Sequence, residues 1–97
     1  MEIDWRTVQV FLTKDGEVDE VALDTSNIKK MRCTCRAFMT AARCKHVKFV
    51  RSRLADTDGE ISLYLPDHVT EEDAHKAITD TDLFRYYTIR YGKVEVL

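Results

Sequence analysis

Cys33, Cys35, Cys44 and His46 follow one another as Cys-x-Cys, eight residues, then Cys-x-His, and this short stretch holds every cysteine of the chain. Thiolate and imidazole are donors that zinc prefers, and four of them complete its tetrahedron. A catalytic zinc keeps one position open for water, whereas a shell filled by protein side chains marks a structural ion. The spacing therefore predicts one structural Zn2+ held by Cys33, Cys35, Cys44 and His46. A disulfide is the competing use of these thiols. It is the weaker one, because three cysteines leave one over, Cys33 and Cys35 are too close to bridge comfortably, and MEIDWRTVQV does not read as a secretory leader.

Little else in the chain suggests chemistry. His68 and His75 are the only other histidines, and no nucleophile, phosphate loop or carboxylate dyad accompanies them in a recognised spacing. Surface or capping roles fit them better than an acid-base pair, so the expectation is that the protein is not an enzyme and takes no small-molecule substrate.

The charges around the four donors are distributed unevenly. From Lys29 to Arg53 there are nine basic residues, Lys29, Lys30, Arg32, Arg36, Arg43, Lys45, Lys48, Arg51 and Arg53, and no aspartate or glutamate. The other six basic residues stand against all 17 acidic ones, so the flanks together carry −11 while the whole chain carries −2. Three thiolates exceed the charge of zinc by one, which leaves the finger strongly positive. Clustered Lys and Arg displace counterions from a phosphate backbone, the source of most sequence-independent affinity for nucleic acid. These nine residues are the candidate nucleic-acid contacts, with DNA ahead of RNA. Lys45, Lys48, Arg51 and Arg53 would line one helical surface, and the other five would surround the metal from the strand and loop side. Two readings compete with this one. In the first, the basic face is solvated and balanced by intramolecular pairs with Glu71, Glu72, Asp73 or the hairpin acids. In the second, it docks on an acidic protein surface, with Trp5, Tyr64, Tyr86 and Tyr87 as possible aromatic anchors unless they serve as packing residues.

These side chains need a scaffold, and the chain's 97 residues, 44% of them apolar, suit a single domain over 1–97 whose modest core would gain from a metal staple. Alternation of Val8, Val10 and Leu12 predicts a strand over residues 6–13, Asp15-Gly16 a tight turn, and Val18, Val21 and Leu23 a second strand, making a β-hairpin over 5–24. A polar turn at Asp24–Asn27 leads to a short strand or knuckle bearing Cys33 and Cys35. From Cys44 to Ala55, Val47, Val50 and Leu54 recur at helical spacing and should face the hairpin. Phe49 lies off that stripe, either packed against the C-terminal half or exposed among cations to stack on a base. A strand over 60–65 comes next, then a helix capped by Thr70 and running to about Ile78. A second helix through Leu83, Phe84, Tyr87 and Tyr91 ends at Gly92 in a left-handed turn, and a closing strand covers 93–97. A hairpin pairing 86–91 with 94–97 is the alternative for that last part. The fold class expected is α+β: hairpin, zinc knuckle and helix, then a short strand, two short helices and a closing strand. No apolar run approaches a membrane span, so a soluble, cytoplasmic protein that keeps its thiols reduced is expected.

The stretch CTCRAFMTAARCKHVKFVRSRL, from Cys33 to Leu54, resembles the SWIM-type zinc finger, whose pattern is Cys-x-Cys, a variable spacer, Cys-x-His and an apolar helix. Phe38 after the first cysteine pair and Lys45 between the last two donors match residues common in that family, and Val47, Phe49 and Val50 resemble the start of its final helix. The resemblance covers roughly residues 20–55, leaving an acidic helical part over about 66–97. It implies a finger of the kind found in transposase-like, chromatin-associated and recombination proteins, where such fingers bind DNA or proteins. Together with the size of the chain it suggests an accessory protein of a bacterium or bacteriophage.

Overall fold

The computed structural model describes residues 3–61 and 65–97. The chain starts with a hairpin of β1 (Trp5–Leu12) and β2 (Val18–Asp24). It reverses at Lys14-Asp15-Gly16, where Gly16 takes φ +85° and donates its backbone N–H to the Thr13 carbonyl at 3.0 Å. Only glycine enters that left-handed region without strain. A second reversal follows Asp24, whose carboxylate accepts from the Ser26 amide at 2.8 Å, and leads into β3 (Asn27–Cys33). β2 pairs antiparallel with both β1 and β3, with Val21 opposite Cys33 and Leu23 opposite Met31.

Side chains alternate across a sheet, so Val21, Leu23, Met31 and Cys33 share one face. A bulge in β1 around Val8 lets Val8, Gln9 and Phe11 face the same side. Across that face lies α2 (Lys45–Asp56), inserting Val47 and Val50, with Leu54 at the margin. Phe11, Val21, Leu23 and Val47 are essentially inaccessible to water and form the centre of the core. The expected 44–55 helix and its stripe are thus present. Phe49 does pack, but against the sheet: its ring meets Phe11 edge-on, with centroids 5.5 Å apart.

The acidic half adds α3 (Glu71–Thr79) and α4 (Thr81–Tyr91). The Thr70 hydroxyl accepts from the Asp73 amide at 3.1 Å, and the Asp80 carboxylate caps α4 by accepting from Asp82 and Leu83. α4 packs on β1 and α3 on α4. The two-residue β4 (Glu95–Val96) then pairs parallel with β1 at Phe11 and Leu12, giving the sheet order β3-β2-β1-β4. The fold is α+β, as expected, and the helical option holds for 81–91. Gly92 does not end that helix in a left-handed turn: its φ is −70°. Glycine is needed there because a Cβ would overlap the Thr88 carbonyl. Of the expected strand over 60–65, residues 62–64 lie outside the described ones, and Glu60, Ile61 and Leu65 are not part of a strand. No helix among the described residues is long and apolar enough to cross a membrane.

One ion pair ties the halves together. Arg85 of α4 donates two 2.9 Å hydrogen bonds to the Glu20 carboxylate of β2, and the Thr7 hydroxyl donates a third at 3.2 Å. The Arg85 guanidinium, opposing the cost of burial, holds the Glu20 carboxyl below its usual 4.5. A depressed carboxylate contributes stability that is full above the unfolded pKa and is lost as pH falls through the folded one. Wild type should therefore melt above Glu20→Gln by a constant margin at pH 6–8, and the margin should shrink below about pH 4.5. A margin that does not change with pH in a thermal melt series would show that the pair contributes nothing.

Candidate metal centre

Cys33 ends β3, and Cys35 is the N-cap residue of α1 (Arg36–Ala41), two residues beyond the sheet. Between them, Thr34 fastens the knuckle to β2. Its amide donates to the Glu20 carbonyl at 3.1 Å, its hydroxyl accepts from the Glu20 amide at 3.0 Å, and the same hydroxyl donates to Asp19 at 3.3 Å. α1 carries the chain outward, and Ala42 turns it back with φ 57°, its amide bonded to the Phe38 carbonyl at 2.8 Å. That return brings Cys44 to the N-cap of α2 and His46 into its first turn.

The ligand atoms of Cys33, Cys35, Cys44 and His46 all lie within 4.8 Å of one another. Bonds of about 2.3 Å to sulfur and 2.0 Å to nitrogen set tetrahedral donors roughly 3.5–3.8 Å apart. Cys33 Sγ and His46 Nδ1 are already 3.6 Å apart. The residues present therefore fit a single ion, which would use thiolate sulfur and imidazole nitrogen with no other donor required. Cys33 and His46 are buried, while Cys35 and Cys44 are half-buried.

The electrostatics are consistent with this use. Burial lowers the His46 pKa, outweighing the nearby Asp19 carboxylate, so the imidazole is neutral and able to ligate at neutral pH. Burial pushes the Cys33 thiol well up, and the neighbouring Cys35 and Cys44 add to the rise, so without a cation Cys33 keeps its proton. Cys44 Sγ accepts from the Val47 amide at 3.4 Å, at the end of α2 where the dipole favours negative charge.

The basic residues are arranged only in part as expected. Lys30 and Arg32 alternate with Met31 and Cys33, so they point from the opposite face of β3, where Arg32 lies 4.7 Å and Lys30 5.9 Å from the Trp5 ring. Arg53 is turned away from the other α2 cations. It donates to Gln9 Oε1 at 3.0 Å and borders a cavity of about 390 Å3 between α2, β1 and α4. What the fold does bring together is Arg43, Lys45, Lys48 and Arg51, which line a second concavity of about 370 Å3 with Cys44 and Val47. Arg51 also donates to the Lys29 carbonyl at 3.4 Å. Among the described residues none of the nine forms an ion pair. The acids instead pair with cations of the flanks: Glu20 with Arg85, Glu72 with Lys76, Glu95 with Lys93 and Asp4 with Arg6. His68 contacts the Tyr91 hydroxyl at 3.2 Å, and His75 is exposed on α3.

Sequence reasoning missed α1, although Ala37, Met39, Ala41 and Ala42 are strong helix formers, and it missed Thr34, whose role depends on β2 lying alongside. No protein-family model, curated protein or solved structure matches this chain.

Two outcomes are expected. Metal binding should release protons at neutral pH, Cys33 giving up its own and the already neutral His46 none, so affinity should rise with pH; proton uptake or pH-independent affinity in an indicator titration would contradict this. Ala42→Gly should raise stability by up to about 1 kcal/mol, because it relieves the left-handed alanine, and a lowered melting temperature would contradict that.

Proposed function

We propose that the ion is Zn2+, that the segment around it is a SWIM-like zinc finger, and that the finger presents a basic surface to nucleic acid, DNA ahead of RNA. Three sulfurs and one imidazole form a shell characteristic of structural zinc. Four protein donors leave no position for a reacting water, so the role is one of binding rather than catalysis. The observation that carries the reading is the basic segment itself: nine cations with no acid among them in sequence and no ion pair among the described residues. Cations that a fold leaves unpaired and close together repel one another, and a polyanion removes that cost.

Lys45, Lys48 and Arg51, with Arg43 beside them, form the densest part of this surface. Lys45 sits in the first turn of α2, where the helix dipole disfavours a cation. Cysteine thiolates offset that penalty when the metal site is charged, and a phosphate would do so more fully. The alternative partner, an acidic protein surface, would use the same cations. It differs in salt response, since contact with six or more phosphates loses about a thousandfold in affinity between 50 and 200 mM salt.

Reversing Lys45, Lys48 and Arg51 to glutamate should abolish retardation of DNA by the zinc-loaded protein while leaving its metal content at one ion per chain. Retardation that survives the triple reversal, or that hardly responds to salt, would refute the nucleic-acid reading.

A further inference from the structure

The cations of α2 are the polar half of an outward stripe that spans most of the helix. At 100° per residue, Lys45, Lys48, Arg51, Ser52 and Ala55 fall within an arc of roughly 120°. All five are exposed, while Val47, Val50 and Leu54 occupy the opposite side against the sheet. The stripe contains no acid and no bulky apolar residue. Ser52 and Ala55 are short enough to let the helix backbone approach a partner closely, and Lys48 and Arg51 flank them with reach and donors.

We infer that α2 enters the major groove of duplex DNA, with Lys48, Arg51 and Ser52 on base edges and Arg43 and Lys45 on the phosphate strand bordering the groove. The inference rests on the nucleic-acid reading above and goes further, naming the form of nucleic acid and the groove. A B-form major groove about 12 Å wide and 8.5 Å deep admits an α-helix, whereas the deep, narrow major groove of A-form RNA does not. Arginine and lysine both donate to guanine O6 and N7 there, and serine bonds to several base edges.

The charge along the helix sets its direction. Arg43 and Lys45 stand at the N-terminal end beside a concavity of about 370 Å3 lined by cations alone among its charged groups. Past Arg53 the chain turns acidic, with Asp56 closing the helix and Asp58 and Glu60 following. Phosphate is attracted at the first end and repelled at the second, so the N-terminal end of α2 lies against the phosphate strand and the acidic end points away from it. The metal centre sits under that end and fixes how far it projects, because Cys44 caps the helix and His46 lies in its first turn.

The test uses the zinc-loaded full chain and three 24-base-pair probes of one mixed sequence: unmodified duplex DNA, the same duplex with its major groove filled by glucosylated hydroxymethylcytosine, and duplex RNA. Anisotropy at fixed salt should show unmodified DNA binding at least about tenfold more tightly than either of the others. Netropsin in the minor groove should leave that affinity unchanged. Ser52→Glu, an exposed change expected to leave the melting temperature as it is, should weaken DNA binding by about tenfold or more through repulsion at the groove. Salt-sensitive binding that is equal on all three probes, or that netropsin displaces, would overturn the groove assignment and leave the nucleic-acid reading standing. Absence of binding to every probe would overturn both.

Discussion

The structure turns on the point where the end of β3 meets the first turn of α2, with Cys33 Sγ 3.6 Å from His46 Nδ1. Both residues are almost fully buried, and the His46 ring lies 4.6 Å from Phe11, the most enclosed aromatic of the core. The donor set is therefore continuous with the hydrophobic core. Two chain segments supply it: β3 with the knuckle, and α2. An ion bound there would join α2 to the sheet beneath it. A core of this size is modest, and a structural ion coupled to folding would add to its stability.

The same junction governs the charge distribution. Holding Arg43, Lys45, Lys48 and Arg51 around one concavity is electrostatically unfavourable for the isolated protein. Among the described residues the fold does not relieve it by bringing acids across: the ion pairs lie between the acids and cations of the flanks, and Glu20 is committed to Arg85 on the other face of the sheet. Segregation of this kind supports the proposed polyanionic partner. It also explains why the overall charge of −2 is a poor guide to the partner.

The sequence showed much of this, for identifiable reasons. The donor quartet was legible because metal-ligand spacing is local, and the hairpin and α2 because alternation and helical periodicity are local too. The parallel pairing of β4 with β1 was not, since it joins residues more than 80 positions apart and two residues carry no periodicity. The placement of the cations was only half legible. Lys30 and Arg32 look close to Cys33 in sequence, but strand alternation sends them to the other face beside Trp5, and Arg53 is drawn aside by Gln9, a partner 44 residues away. Gly92 does cap α4 as expected, but without a left-handed turn, and its requirement comes from the Thr88 carbonyl pressing on it, a contact that only the folded chain shows.

The central claim is that one zinc ion is held by these four side chains and nothing else. X-ray absorption at the zinc edge tests it most directly on protein purified without added metal. The account predicts one zinc per chain with about three sulfurs near 2.3 Å and one nitrogen near 2.0 Å. A shell containing oxygen, a sulfur count below three, or protein that folds without any metal would contradict it.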